Sequence, residues 1–193
     1  MAGKRSLGAR TLLYPAPVLV VGTYDAEDNP NIMTVAWGGI VCSKPPCVSV
    51  CIRAGRLSHA NIMHHQAFTV SLPAAHQVAE ADYIGTVSGH DVDKFAATGL
   101  TPVRAEHVHA PGVGEFPVVL ECRVVHVAEL GAHTMFVGEI LDVKADEGVL
   151  GPDGKVDLNA VGLVTYIPGA ETYYGLGPSL GGAFSVGNKF KGD

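Results

Sequence analysis

Charged residues are scarce in this chain of 193 residues, where Asp, Glu, Lys and Arg together make up 17%. The usual share is about 25%. The net charge is −6, and no run of Lys or Arg is longer than two residues. Nucleic-acid binding requires a basic surface, so we expect no nucleic-acid partner. Because 47% of the residues are hydrophobic, we expect part of the exterior to be buried against another subunit.

The chain also lacks an apolar run long enough to form a membrane-spanning helix. Its basic start, with Lys4 and Arg5, precedes an apolar run at 11–23 that superficially resembles a signal peptide. However, Pro15 and Pro17 break this run, and no small-residue cleavage site follows it. We therefore expect a cytoplasmic protein with no membrane partner.

The cysteines and histidines of the chain show no spacing that is typical of a disulfide or a metal site. The four cysteines form no CxxC pair, and Cys47 and Cys51 lie on one face of a predicted strand, which suits buried free thiols better than a disulfide or a metal cage. His107 and His109 would share a strand face, but no third ligand follows at a recognised spacing. The sequence therefore predicts no metal site.

Most of the chain has the pattern of β-strands, with a few short helices. We predict helices at 59–65 with Ser58 as N-cap, at 74–84, and at 88–97 with Gly99 as the stop. The predicted strands are 18–24, 31–40, 47–52, 67–72, 117–129, 133–144 and 163–167. The absence of a βαβ rhythm indicates a mainly β fold, an antiparallel barrel. The chain also lacks the G-x-G-x-x-G fingerprint and a Walker-type loop, which argues against a Rossmann domain.

Three segments carry functional signals, each of which also has an ordinary structural explanation. In 31–39, Trp37 offers a flat apolar face and two glycines permit close approach; the alternative is a core tryptophan beside a bulge. In 51–59, a strand turns into a helix beside Arg53 and Arg56, as in an anion site; the alternative is a solvated helix start. In 88–95, Lys94 is a single cation that by itself is typical of a surface.

In combination, these segments resemble the flavin reductase-like, FMN-binding split-barrel family, and are most similar to its flavoredoxin branch. The resemblance divides the chain into an N-terminal tail, 1–13, and a domain, 14–193. The matching pieces occur in the family's order: Tyr-Pro-Ala-Pro-Val at 14–18, Asn-Ile-Met-Thr-Val-Ala-Trp at 31–37, Lys-Pro-Pro at 44–46, Arg-x-Ser at 56–58, Asp-Lys-Phe at 93–95, Leu-Glu-Cys at 120–122, the segment 133–139, and Tyr-Tyr-Gly-Leu-Gly at 173–177.

The resemblance implies a Greek-key split barrel that binds FMN near the interface of a homodimer. The residues that it implies for the flavin ring and ribityl chain are Asn31, Thr34 and Trp37. Those that it implies for the phosphate are Cys51, Arg56, Ser58 and His59. Lys94 would approach the pyrimidine edge of the ring, and His133 and Tyr166 would complete the pocket.

No catalytic side chain is required, because the flavin carries the redox chemistry. The function implied by the resemblance is that of an FMN-binding redox protein, which passes electrons to or from a partner protein or a small molecule. One alternative is a reductase that uses NAD(P)H to reduce free FMN. Another is a non-enzymatic module that binds heme or a different planar ligand.

Overall fold

The structure, a computed structural model, describes residues 3–191. Its strands are β1 (Ala16–Pro17), β2 (Leu19–Tyr24), β3 (Pro30–Val35), β4 (Gly38–Ser43), β5 (Pro46–Ile52), β6 (Ala67–Leu72), β7 (Pro102–Arg104), β8 (Pro111–Val113), β9 (Val118–Leu130), β10 (His133–Ala145), β11 (Val164–Ile167) and β12 (Thr172–Gly175). Its α-helices are α1 (Leu57–His65), α2 (Val78–Thr86), α3 (Lys94–Thr98) and α4 (Leu158–Val161). Short 3₁₀ helices cover Ala75–Gln77, Glu147–Val149 and Val186–Phe190. No helix among residues 3–191 is both long and apolar enough to cross a membrane.

Seven strands form one antiparallel sheet in the order β3-β2-β6-β9-β10-β5-β4. The two edge strands, β3 and β4, follow one another in the chain and are joined by only Ala36 and Trp37. A flat sheet of seven strands would place its edges about 29 Å apart, whereas this connection spans at most about 11 Å. The sheet therefore has to curl into a barrel. We call the Ala36–Trp37 connection, where the two edges meet, the seam.

Two hydrophobic clusters hold the barrel. The first includes Val21, Phe68 and Phe136. The second includes Val20 and Ile84, and it packs helices α2 and α3 and the small sheet β1-β11-β12 against the barrel. Both clusters draw on β2 because this strand is buried on both faces, which is why it appears in the sequence as a continuous apolar run. The mainly β split-barrel prediction is confirmed.

Three local predictions are wrong. The predicted strand 31–40 is two strands separated by the seam. The predicted helix 88–97 is a turn followed by the shorter α3, although Gly99 ends it in the left-handed conformation as expected. His107 and His109 do not share a strand face, because they lie in the irregular loop between β7 and β8.

Candidate functional site

A cavity of about 360 Å³ opens at the seam of the barrel. We call it the seam cavity. The ends of β3 and β5, the turn before α1 and the start of β10 supply most of its wall. Its lining residues are Met33, Thr34, Val35, Ala36, Trp37, Cys51, Arg53, Arg56, Gly85 and His133.

The strand register explains why these residues converge. The pairing of Ile52 with Thr134 places the end of β5 beside the start of β10, so Arg53 and His133 emerge on the same side of the barrel. The backbone amide of Cys51 donates to the carbonyl of Trp37 at 2.8 Å, which fixes the seam against β5. Positions that are distant in the sequence thereby line one wall.

Trp37 is not a core tryptophan. It is half-buried and faces both the seam cavity and an adjoining cavity of about 550 Å³. Beside it, a Cβ on Gly38 would lie 2.5 Å from the carbonyl oxygen of Ser49. Only glycine allows the chain to pass this close to β5, so the glycine after the indole is needed to close the barrel.

Two further cavities extend the site on either side of the seam. The wall of the cavity of about 550 Å³ includes Leu13, from the segment that precedes β1, and Ile40 of β4. A cavity of about 260 Å³ on the other side contains Tyr166 and Tyr173. Ala36 lines all three cavities, so they adjoin one another along the seam.

One end of the seam cavity is basic. Arg53 and Arg56 both line it, and the amide of Arg56 bonds to the carbonyl of Arg53 at 3.0 Å in the turn that opens α1. No side chain caps this helix, which leaves the positive end of its dipole available to an anion. Two guanidinium groups and an uncapped helix start are the donor set of a phosphate site.

Ser58 is not the N-cap that the sequence predicts, because α1 already begins at Leu57 with Arg56 in the cap position. Instead, the Ser58 hydroxyl is buried and accepts a hydrogen bond from Asn31 Nδ2 at 2.9 Å. Neither residue lines the seam cavity. Their contact joins β3 to the first turn of α1 and so positions the arginines beside the seam.

Lys94 is a buried residue and not a surface lysine. Its Nζ donates to the carbonyl of Ile84 at 2.8 Å. Burial, and secondarily the charge of Arg56, lower the pKa of Lys94 to about 8. Lys94 and Asn31 line a separate cavity of about 370 Å³, so the predicted Lys94 lies beside the seam cavity and not in its wall.

His59 and Tyr166 likewise lie outside the wall of the seam cavity. Nε2 of His59 is 2.9 Å from Oγ1 of Thr134, so His59 ties α1 to β10. Tyr166 lies in the adjoining cavity, with its ring centroid 5.5 Å from that of Tyr173. Of the ten predicted site residues, the seam cavity brings together Thr34, Trp37, Cys51, Arg56 and His133.

The sequence analysis missed several residues that shape the site. Gly85 approaches Thr34 so closely that a Cβ there would lie 3.2 Å from the threonine Cβ. Tyr173 donates to Asp82 Oδ1 at 2.9 Å, and burial together with this bond raises its pKa well above the usual value. The aromatic motif at 173–177 includes Tyr173, but it did not predict where this residue lies in the fold. No motif in the sequence indicated a role for Gly85.

Comparisons with known proteins agree with this architecture. A family model described as "Flavin reductase like domain" matches residues 10–166. The structure is similar to that of flavoredoxin from Desulfovibrio vulgaris (Miyazaki F), with 50% sequence identity and a TM-score of 0.92, covering 96% of this chain and 100% of that one. It is also similar to an FMN-binding protein from Thermus thermophilus, with 26% identity and a TM-score of 0.76, covering 91% and 96% of the two chains.

A relative in Streptomyces globisporus, named as an NADH-dependent FAD reductase, is 30% identical over 146 residues, which are 74% of this chain and 78% of that protein. The family model alone spans more than half of the chain, in the same segment that forms the barrel and the seam. This chain therefore belongs to the flavin reductase-like domain family.

Proposed function

We propose that this protein is an FMN-binding redox protein whose flavin lies along the seam. The observation that carries the proposal is the meeting of Trp37, Thr34 and Arg56 in one cavity. FMN needs an apolar slot for its ring and donors for its phosphate, and the seam cavity offers both. The name of the Thermus thermophilus protein, which is similar in fold, supports the choice of FMN.

The residues fit the two ends of the nucleotide. Arg53, Arg56 and the amides of the first turn of α1 would hold the phosphate by charge-assisted hydrogen bonds. The Trp37 indole would pack beside the ring system, and Thr34 and His133 would line the slot. The Thr34 hydroxyl already donates to the carbonyl of Ala81, so toward a ligand its oxygen would act as an acceptor.

The bound flavin would supply the redox chemistry, and the chain would supply position and electrostatic tuning. Burial raises the pKa of the Cys51 thiol, so this side chain remains a neutral part of the wall. The two arginines and the nearby Lys94 create a positive field at this end of the seam, which favours negative charge added to a ligand there. The flavoredoxin similarity supports a role in electron transfer with a partner protein or a small molecule.

The test is an absorption spectrum of the protein as purified and after reconstitution with FMN. We expect one FMN per chain, with bands near roughly 375 and 450 nm that belong to the cofactor. A protein that stays colourless and leaves FMN fluorescence unchanged would contradict the proposal. A Soret band from bound heme would instead support the alternative function, a non-enzymatic module that binds heme or a different planar ligand.

A second function is favoured by the open space beside Trp37. The cavity of about 550 Å³ adjoins the seam cavity and leaves room for a second planar molecule next to a bound flavin. A nicotinamide there could act as hydride donor, as the name of the Streptomyces globisporus relative suggests. Rapid NADH or NADPH oxidation that depends on added free FMN would identify a reductase, and no turnover would favour the electron carrier.

We also propose that the working form is a homodimer. β4 is an edge strand of the large sheet, and it exposes Ile40 by 70% and Val41 by 52% beside the seam. The C-terminal segment exposes Phe184 by 99% and Leu180 by 95%. Exposed apolar side chains on an edge strand and on a C-terminal segment are typical of association sites. Light scattering should give the mass of two chains, and the Ile40→Glu, Val41→Glu double variant should give one; a monomeric wild-type protein would exclude the dimer.

A further inference from the structure

Three side chains from separate parts of the chain meet at the opposite end of α1 from the seam. They are Asp28 in the β2–β3 loop, His65 in the last turn of α1, and His109 in the β7–β8 loop. Each offers one ligand atom, and these atoms all lie within 4.8 Å of one another. We call this group the His-Asp cluster.

The donor set suits a transition metal. Two imidazoles and one carboxylate are typical ligands of zinc, which binds histidine nitrogen at about 2.0–2.1 Å and carboxylate oxygen at about 2.0–2.2 Å. Ligand atoms around a tetrahedral zinc then lie about 3.4 Å apart. His109 Nε2 is 2.7 Å from Asp28 Oδ1, and the centroids of the His65 and His109 rings are 4.7 Å apart. Shifts of about 1 Å by solvent-accessible side chains would bring all three ligand atoms to this spacing.

The hydrogen bond of His65 prepares it for metal binding. Its Nε2 lies 2.8 Å from the carbonyl oxygen of Asp25. A carbonyl can only accept, so Nε2 carries the proton, and in the neutral ring the lone pair belongs to Nδ1. Metal-binding histidines commonly donate their other ring N–H to a backbone carbonyl in this way, which fixes the tautomer and the orientation of the ring.

The charges around the cluster also favour a cation. His65 lies in the last turn of α1, where the helix dipole is negative. A second carboxylate, that of Asp25, lies close enough to His65 for their charges to interact. Arg104 is a cation close enough to Tyr24 to interact with its hydroxyl. The negative helix end and the two carboxylates therefore outweigh this one guanidinium.

We propose that Asp28, His65 and His109 bind one divalent transition metal of the zinc class, with water completing the coordination. The ion would tie the β2–β3 hairpin, the end of α1 and the β7–β8 loop together, on a face of the barrel away from the seam cavity. Its role is structural, because it would constrain three segments that come from separate parts of the chain.

The test uses the full-length, flavin-loaded protein without a histidine tag, titrated with zinc chloride by calorimetry. We expect one zinc per chain at micromolar affinity or tighter. Asp28→Asn and His109→Ala should each weaken binding by at least about tenfold. At a zinc concentration a hundredfold above the wild-type dissociation constant, zinc should raise the Tm of the wild-type protein by about 5–10 °C, and it should raise the Tm of His109→Ala by at most about half as much.

His76→Ala is the matched control, since His76 is exposed and lies outside the cluster. This variant should bind zinc as the wild-type protein does. Retention of the flavin spectrum in Asp28→Asn and His109→Ala would show that both variants are folded. Absence of saturable zinc binding would overturn the proposal, as would equal affinity in His109→Ala or an equal loss in His76→Ala.

Discussion

The two ends of helix α1 differ in charge and in what they can bind. Its N-terminal end carries Arg53 and Arg56 and faces the seam cavity. Its C-terminal end carries His65 and faces Asp28. A helix presents about half a positive charge at its start and half a negative charge at its end. At the start, Arg53 and Arg56 add to the positive end of the dipole. At the other end, the Asp28 carboxylate from the β2–β3 loop adds to the negative end, so the two ends of one short helix are suited to an anion and to a cation.

The two ends also differ in how they are supported. Near the N-terminal end, the buried pair Asn31–Ser58 joins β3 to α1 at 2.9 Å. One turn further, the buried pair Asn61–Thr23 joins α1 to β2 at 3.0 Å. The C-terminal end depends on more exposed side chains. A rigid start and an adaptable end suit a preformed phosphate site and a metal site that tightens on binding.

The prediction with the largest expected effect concerns the positive, N-terminal end of α1. The Arg53→Ala, Arg56→Ala double variant should lose FMN affinity by at least about 100-fold, because each charged hydrogen bond contributes about 1.5–3 kcal/mol. Riboflavin affinity should be unchanged, since riboflavin has no phosphate. Fluorescence titration with both ligands measures this difference. Arg104→Ala, which removes a cation outside the seam cavity, is the control; equal losses for FMN and riboflavin would place the phosphate elsewhere.

The two buried pairs allow a matched comparison of support and binding. Asn31→Ala and Asn61→Ala should each lower the free energy of unfolding by about 1–3 kcal/mol, because each removes one partner of a buried hydrogen bond. Only Asn31→Ala should also weaken FMN binding, since its partner Ser58 lies in the first turn of α1. Denaturant unfolding and FMN titration measure the two effects. Equal loss of FMN affinity in both variants would show that Asn31 acts only through general stability.

A third prediction concerns the pH dependence of stability. The pKa of Lys94 is about 8 in the folded protein and about 10.4 in an unfolded chain. Between these values the unfolded chain holds a proton that the folded chain has lost, so stability rises with pH. The Tm of the wild-type protein should therefore rise by a few degrees relative to Lys94→Met between pH 8 and 10. A constant Tm difference between the two proteins across this range would contradict the lowered pKa.

The smallest expected effect is on redox potential. Lys94 lies beside the seam cavity and not in its wall, so its charge acts at a distance. A cation roughly 10 Å from the ring, at an effective dielectric of about 40, contributes about 0.8 kcal/mol, or about 35 mV for one electron. Lys94→Met should make the bound flavin harder to reduce by about this amount in a spectroelectrochemical titration. An unchanged potential would rule out the tuning role.

Much of the barrel follows from the sequence because its strands carry strong local patterns. The long pair β9 and β10 has a clear hairpin turn at Gly131, and β2 is apolar on both faces. The break at the seam has a weaker signal, the glycines at 38–39, which by themselves fit a bulge within one strand as well as a break between two. Closure of the whole sheet imposes the bend, and this constraint involves strands that are distant in the sequence.

The site was predictable in part, and for a similar reason. The motifs at 31–37 and 56–58 identified Trp37 and Arg56, which the structure places in the seam cavity. The sequence alone could not exclude the alternatives, a core tryptophan and a solvated helix start. To exclude them, one has to know which residues pack against each side chain. The burial of Lys94 depends on the carbonyl of Ile84, and the His-Asp cluster depends on two loops that meet only after folding.

The two-residue seam makes the pocket depend on every strand of the large sheet. β3 and β4 follow one another in the chain but form opposite edges of this sheet, so the wall of the pocket is complete only when the five intervening strands have paired in order. In a chain whose barrel is not yet closed, Trp37 is present but the seam cavity around it is not. Flavin binding should therefore be a measure of barrel closure. A single proteolytic cut between Ala36 and Trp37 should release the nucleotide before the remaining strands unfold.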